Sequence, residues 1–189
     1  DHFRTRITHS IEVAQIARSI AKYLNLNEDL TETLSLAHDL GHTPFGHAGE
    51  EELNLCMKNY GGFDHNIQTV RIVTIIEKKY YEFDGLNLSL ETLDGLIKHN
   101  GIVKNKIKYD LILGKNFFKK NIDFNKGPSL EAQIASISDD IAYNSHDLED
   151  GLRAKLFKLE DLRNIPVLNS ILKKHEKKFK KFSQDLILR

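Results

Sequence analysis

The stretch that most limits what this chain can become is Ala37-His38-Asp39-Leu40-Gly41-His42-Thr43-Pro44-Phe45-Gly46-His47-Ala48-Gly49-Glu50. Its fourteen residues hold three histidines, two carboxylates, three glycines and a proline. Adjacent His38 and Asp39 offer an imidazole nitrogen and a carboxylate oxygen, donors suited to a borderline transition metal or Mn2+. Gly41 reads as a helix-ending C-cap. That places the pair on the last turn of a helix, with His42 and His47 on a tight loop beside it. A His-Asp dipeptide alone is a weak signal, since a second occurs at His146-Asp147. The spacing of the other donors has to strengthen it.

Length and composition bound the reading. The 189 residues suffice for one domain with a real core, and 40% hydrophobic with 29% charged residues is an ordinary globular profile. Lys+Arg and Asp+Glu both number 27, so no overall basic field points to nucleic acid. The single cysteine, Cys56, excludes an internal disulfide and a Cys-based zinc site. Set among Leu53, Leu55 and Met57, it reads as a small buried hydrophobe. No apolar run approaches the ~18 residues of a membrane span, so no membrane partner is expected and the cytoplasm is the expected compartment. The chain opens at Asp1 and goes straight into functional-looking sequence, so the expectation is a fragment truncated at both ends.

Helical periodicity runs through nearly the whole chain. A first helix from Thr8 has Ile11, Ala14, Ile16, Ala17, Ile20, Ala21 and Leu24 on its apolar positions and His9 in its first turn. Further helices are expected from Glu28 to Leu40, Ala48 to Asn59, His65 to Lys79, and from an N-cap at Ser89 to His99. Between 102 and 128, seven lysines with scattered Gly and Asn weaken the pattern, which reads as a long irregular excursion. The most regular helix follows, from Ser129 to Glu149, and shorter ones near Glu160–Asn164 and Val167–Leu186. The fold class is all-α, a helical bundle of one domain.

On the Ser129 helix, Asp139, Tyr143 and Asp147 are spaced i, i+4, i+8 and project from one face. An acidic surface stripe is the bland alternative. Ile134, Ile137, Ile141 and Ala142 make much of that helix apolar, however, and Asp140 already supplies a solvent-side acid. His9, His38, Asp39 and Asp139 together could make a site of two nitrogen and two oxygen donors, converging from separate helices.

Three segments then carry a resemblance: Arg4-Thr5-Arg6-Ile7-Thr8-His9-Ser10, His38 to His47, and Ser138-Asp139-Asp140-Ile141-Ala142-Tyr143-Asn144. With Gly61-Gly62-Phe63-Asp64-His65-Asn66-Ile67-Gln68-Thr69 and His99-Asn100-Gly101, they resemble the HD-domain deoxynucleoside triphosphate triphosphohydrolases, the dGTPase-like family. The likeness covers essentially the whole chain, in order. It implies one divalent metal ion (Mn, Mg, Fe, Ni or Zn) held by His9, His38, Asp39 and Asp139. It implies a catalytic group of His42, Glu50 and His65, phosphate contacts at Arg6 and His47, and sugar contacts at Tyr143 and Asp147. Asp140 departs from relatives that carry a basic phosphate contact there.

The activity implied is hydrolysis of dNTPs, dGTP among them, to deoxynucleoside and triphosphate. Two alternatives stay open at this point: another HD-domain nucleotide phosphohydrolase, or a non-catalytic nucleotide-binding module. The resemblance also brings an effector dNTP, single-stranded DNA and a homo-oligomer as expected partners. The remaining histidines have bland readings: His2 and His175 exposed, His99 packing or capping at a helix end, His146 a weak substrate contact. The lysine run from Lys173 to Lys181 reads as a solvated helix face.

Overall fold

Thr5 starts the first helix with a reciprocal cap. Its hydroxyl accepts the Thr8 amide and the Thr8 hydroxyl accepts the Thr5 amide, which satisfies two of the orphan donors at a helix start. Helix α1, Arg6–Tyr23, therefore begins just before His9 and holds that residue in its first turn. The structure, a computed structural model, describes residues 5–104, 106–113 and 122–178. Among these, α1 is followed by α2 (Glu28–Ala37), α3 (Gly46–Cys56), α4 (His65–Arg71), α5 (Leu90–Lys98), α6 (Lys106–Leu113), α7 (Leu130–Arg153) and α8 (Pro166–Lys178). No strand occurs among the described residues, so the all-α expectation holds. No described helix is long and apolar enough to cross a membrane.

The chain divides into two compact units, Asp1–Ala142 and Tyr143–Arg189. In the first, α1 lies against α2, α2 against α5, and α4 against α5 and α6. Leu34 of α2, Ile67 and Val70 of α4, and Leu93, Leu96 and Ile97 of α5 form its main core. Burying each such side chain stabilises the fold by roughly 1.5–3 kcal/mol. Gly95 lets α5 approach α2, since a Cβ there would meet Leu34 Cδ2 at 2.6 Å. A smaller cluster of Ala17, Ala21 and Ile134 seats α1 on the start of α7. Of the expected apolar face, Ala17 and Ala21 are fully buried and Ile20 packs beside them, while Ile11 is 46% exposed. Small side chains bring the two backbones close, and with them His9 and Asp139. In the second unit, α8 lies against a 3-10 turn at Asp161–Asn164.

Several boundaries depart from the sequence reading. Helix α2 stops at Ala37, with His38 as its C-cap in right-handed conformation. Gly41 is not the cap; its φ is not positive. It is required for close approach, because a Cβ there would lie 2.1 Å from the His65 carbonyl oxygen and 2.4 Å from the Thr69 amide. Cys56 is exposed, not buried. The stretch 102–128 contains α6, whose lysine-rich surface hides a buried anchor: Tyr109 lies in the main core, its ring 5.9 Å from that of Phe124. Helix α4 passes into a single π-helical turn at Ile72–Ile76. His2, the residues after 178 of the last expected helix, and part of the lysine run lie outside the described residues.

The Gly41 contact yields a first expectation. Gly41→Ala forces a methyl into α4, and overpacking of this kind costs about 1–3 kcal/mol. Urea unfolding should show that loss, whereas Gly101→Ala, where a Cβ meets nothing within 4 Å but φ is +106°, tests backbone strain without a clash.

Candidate active site

Three elements deliver the first cluster: His9 from α1, His38 from the end of α2, and Asp139 from α7. Their donor atoms all lie within 4.8 Å of one another. His9 Nε2 is 2.8 Å from Asp139 Oδ1. His38 is 4% exposed, and its Nδ1 is 2.7 Å from the Ser35 carbonyl. A carbonyl can only accept, so Nδ1 carries the proton and Nε2 presents a lone pair. That Nε2 lies 3.2 Å from Asp39 Oδ1 and 3.6 Å from Asp139 Oδ1, yet forms no hydrogen bond.

The electrostatics of this cluster favour positive charge at its centre. Burial pushes His38 down, but Asp139 and Asp39 outweigh it and raise it above its ordinary value. Burial would likewise push Asp139 up, yet His38 and His9 hold it well below the usual carboxylate range. A buried imidazole nitrogen with no hydrogen bond, flanked by two carboxylates and a second histidine, is a donor set that fits a borderline divalent ion. The four residues that could hold it are His9, His38, Asp39 and Asp139.

A second cluster adjoins the first through Asp39, whose Oδ1 is also 3.5 Å from His42 Nε2. The rings of His42 and His65 stack, with centroids 4.1 Å apart and planes inclined by 13°. Glu50 grips His65 three ways: Oε1 accepts the His65 amide at 2.8 Å, and the two oxygens lie 2.9 and 2.8 Å from Nδ1. The donor atoms of His42, Glu50 and His65 are also close enough together to hold an ion. Here, however, His65 Nδ1 is already committed to the carboxylate, which suits proton transfer better than ligation. Burial, then the neighbouring His65, push His42 below its ordinary value. The Glu50 carboxyl is held low by the His65 amide and ring, against the opposing effect of burial.

The other expected residues are placed as follows. Arg6 donates through Nη2 to the Thr43 carbonyl, which holds the guanidinium over the loop. It lines a cavity of about 440 Å3 together with Ser10, Asp39, His42 and apolar Ile7, Ile11, Leu36, Leu40 and Pro44. His47 is largely exposed, its ring 5.4 Å from that of His42. Tyr143 and Asp147 belong to the second unit, both on α7 and both exposed. His99 takes a position that sequence reasoning had left to capping or packing. It is buried at the C-cap of α5, edge-on to His38 at 5.9 Å, and burial pushes it down to about 4. Its place in the His99-Asn100-Gly101 motif was the available signal.

The HD domain matches residues 6–144. A "Deoxyguanosinetriphosphate triphosphohydrolase-like protein" of Pelagibacter ubique is 63% identical over all of this chain and 51% of its own length. Proteins of the same description from Bradyrhizobium and Caulobacter are 56% and 54% identical over 91% of this chain. The chain belongs to the HD-domain family. It spans about half the length of the curated relatives it matches.

Glu50 gives a pH expectation. A carboxyl whose folded pKa lies below its ordinary 4.5 adds stability that is complete above that pH and lost as pH falls through the folded value. Glu50→Gln should therefore lose less stability than wild type between pH 7 and about pH 3. Urea unfolding across that range measures it; equal slopes would show that the His65–Glu50 contact contributes nothing to acid sensitivity.

Proposed function

We propose that this chain carries the catalytic core of a metal-dependent hydrolase that converts dNTPs, with dGTP the expected substrate, to deoxynucleoside and inorganic triphosphate. One observation carries the reading. Asp39 Oδ1 lies between His38 of a donor set suited to a divalent ion and His42 of a stacked pair held by Glu50. A charge-neutralising centre and a proton-transfer group thus share one edge, as hydrolysis of a polyanionic ester requires. The descriptions of the relatives support the choice of substrate class.

His9, His38, Asp39 and Asp139 would hold the ion. When bound, it supplies positive charge that polarises a phosphoryl oxygen of the substrate. Arg6, held by Thr43, offers a guanidinium fork to the triphosphate, and His47 reaches the same side from solvent. Water adds to the α-phosphorus as the bond to the 5′-oxygen breaks, and the departing oxygen needs a proton. His65 delivers it from Nε2, because Nδ1 is bound to Glu50, which orients the ring. His42, stacked beside it, contacts the reacting phosphate. The 440 Å3 cavity gives the substrate room beside Asp39 and His42, and Tyr143 and Asp147 are proposed to contact the sugar.

Product analysis with each dNTP and Mn2+ or Mg2+ tests this. Triphosphate and deoxynucleoside are expected from wild type and none from Asp39→Ala. His65→Ala should slow turnover by roughly 100- to 10,000-fold. Orthophosphate or pyrophosphate would assign a different phosphohydrolase chemistry. Mn2+ binding without any product would assign nucleotide binding without turnover.

A further inference from the structure

A histidine tied at one ring nitrogen keeps one soft motion, a swing about its N–H···O axis. His38 is tied in this way, with Nδ1–H donating to Ser35, and its Nε2 can aim at a bound ion only if that swing is stopped. Two rings flank it. His9, at 6.2 Å and inclined by 59°, is itself one of the donors and moves with the site. His99, at 5.9 Å and inclined by 75°, lies outside the donor set.

His99 is anchored independently of the site. It is 6% exposed, and its Nδ1–H donates to the Leu96 carbonyl at 2.9 Å, repeating the tie that His38 makes three residues back. The end of α5 that carries it is fixed by buried Leu96 and Ile97 and by the close approach of Gly95 to Leu34 of α2. The Asn100 amide donates to Asn66 Oδ1 at 3.2 Å, linking the same end to the first turn of α4 beside His65.

We propose that His99 is a positioning residue: its ring edge, fixed by α5, sets the plane of His38 and so aims Nε2 at the point between His9, Asp39 and Asp139. This rests on the metal-binding role given to those residues above. Partners that orient a ligating histidine typically change metal affinity by about 10- to 100-fold when removed. An aromatic edge, not a polar atom, is the feature required, so phenylalanine should serve and leucine, which also fills space, should not.

The test compares wild type with His99→Phe and His99→Leu, with folding checked by circular dichroism melting and His38→Ala as the negative control. Mn2+ affinity is read from the loss of the free-ion electron paramagnetic resonance signal. His99→Leu should bind about 10- to 100-fold more weakly and His99→Phe within about threefold of wild type. Wild-type affinity in the folded leucine variant, or equal weakening in both variants, overturns the proposal. A second reading needs no metal. Nitrogen-15–proton spectra of the His38 ring should show the Nδ1–H that donates to Ser35 held in wild type and in His99→Phe, and exchange-broadened in His99→Leu. An unchanged His38 spectrum in the leucine variant also overturns it. Wild type that binds no Mn2+ would remove the metal reading alone, and the nitrogen spectra would still decide what His99 does to His38.

Discussion

Thr69 of α4 holds the loop after α2 by a two-way hydrogen bond: its hydroxyl accepts the Gly41 amide at 2.9 Å and donates to the His38 carbonyl at 3.3 Å. The backbone of Gly41 can come that near only because it has no side chain. Everything chemical in the first unit depends on this seam. It draws the His38-Asp39 pair and His42 onto the start of α4, where His65 begins the helix, and so brings the two histidine clusters into contact. Asp64 completes the arrangement by capping α4 through the Asn66 and Ile67 amides, which fixes the direction in which His65 leaves the helix.

Charge balance explains why the site has its particular composition. Taking a carboxylate or an imidazolium out of water costs several kcal/mol per ion unless a partner compensates. Asp139 meets this by contact with His9 and His38, while Glu50 meets it with two oxygens on His65. Asp39 stands between the two solutions, within 3.5 Å of a histidine on each side. His38 Nε2, beside the donors of His9 and Asp139, has no hydrogen bond, whereas in the neighbouring set both Glu50 oxygens are held on His65. On the reading proposed above, the first group is the one for an ion and the second the one for a proton.

Much of this was legible beforehand, and what was not has identifiable physical causes. The Ser89 cap and the helix start at Glu28 follow from local signals that sequence expresses directly, whereas α1 starts at Arg6 behind a Thr5 cap, two residues before the expected start at Thr8. His9, His38 and Asp139 converge as their motifs suggested. Helix α6 was missed because lysines and asparagines weaken the pattern around it, while among the described side chains Tyr109 ties it to the core. The role of Gly41 was misread because a glycine after a helix commonly caps it, and only the neighbouring α4 shows that space, not φ, is the constraint. Cys56 sits among hydrophobic residues in the chain but on an exposed part of α3 in the fold, since neighbours in sequence on a helix point in different directions.

By itself, the order of residues determined the all-helical class and the Ser89 cap, because these depend on residue type and short-range spacing, while the candidate donors of both clusters were implied by the resemblance of their motifs. Only the tertiary structure decided which donors share a centre, that Asp39 lies between them, and that His99 stands edge-on to His38. Those relations join residues up to 130 positions apart, as His9 and Asp139 are. They are set by how closely α1, α2, α4, α5 and α7 can approach one another, a matter of side-chain volume at Ala17, Gly41 and Gly95 that no local pattern records.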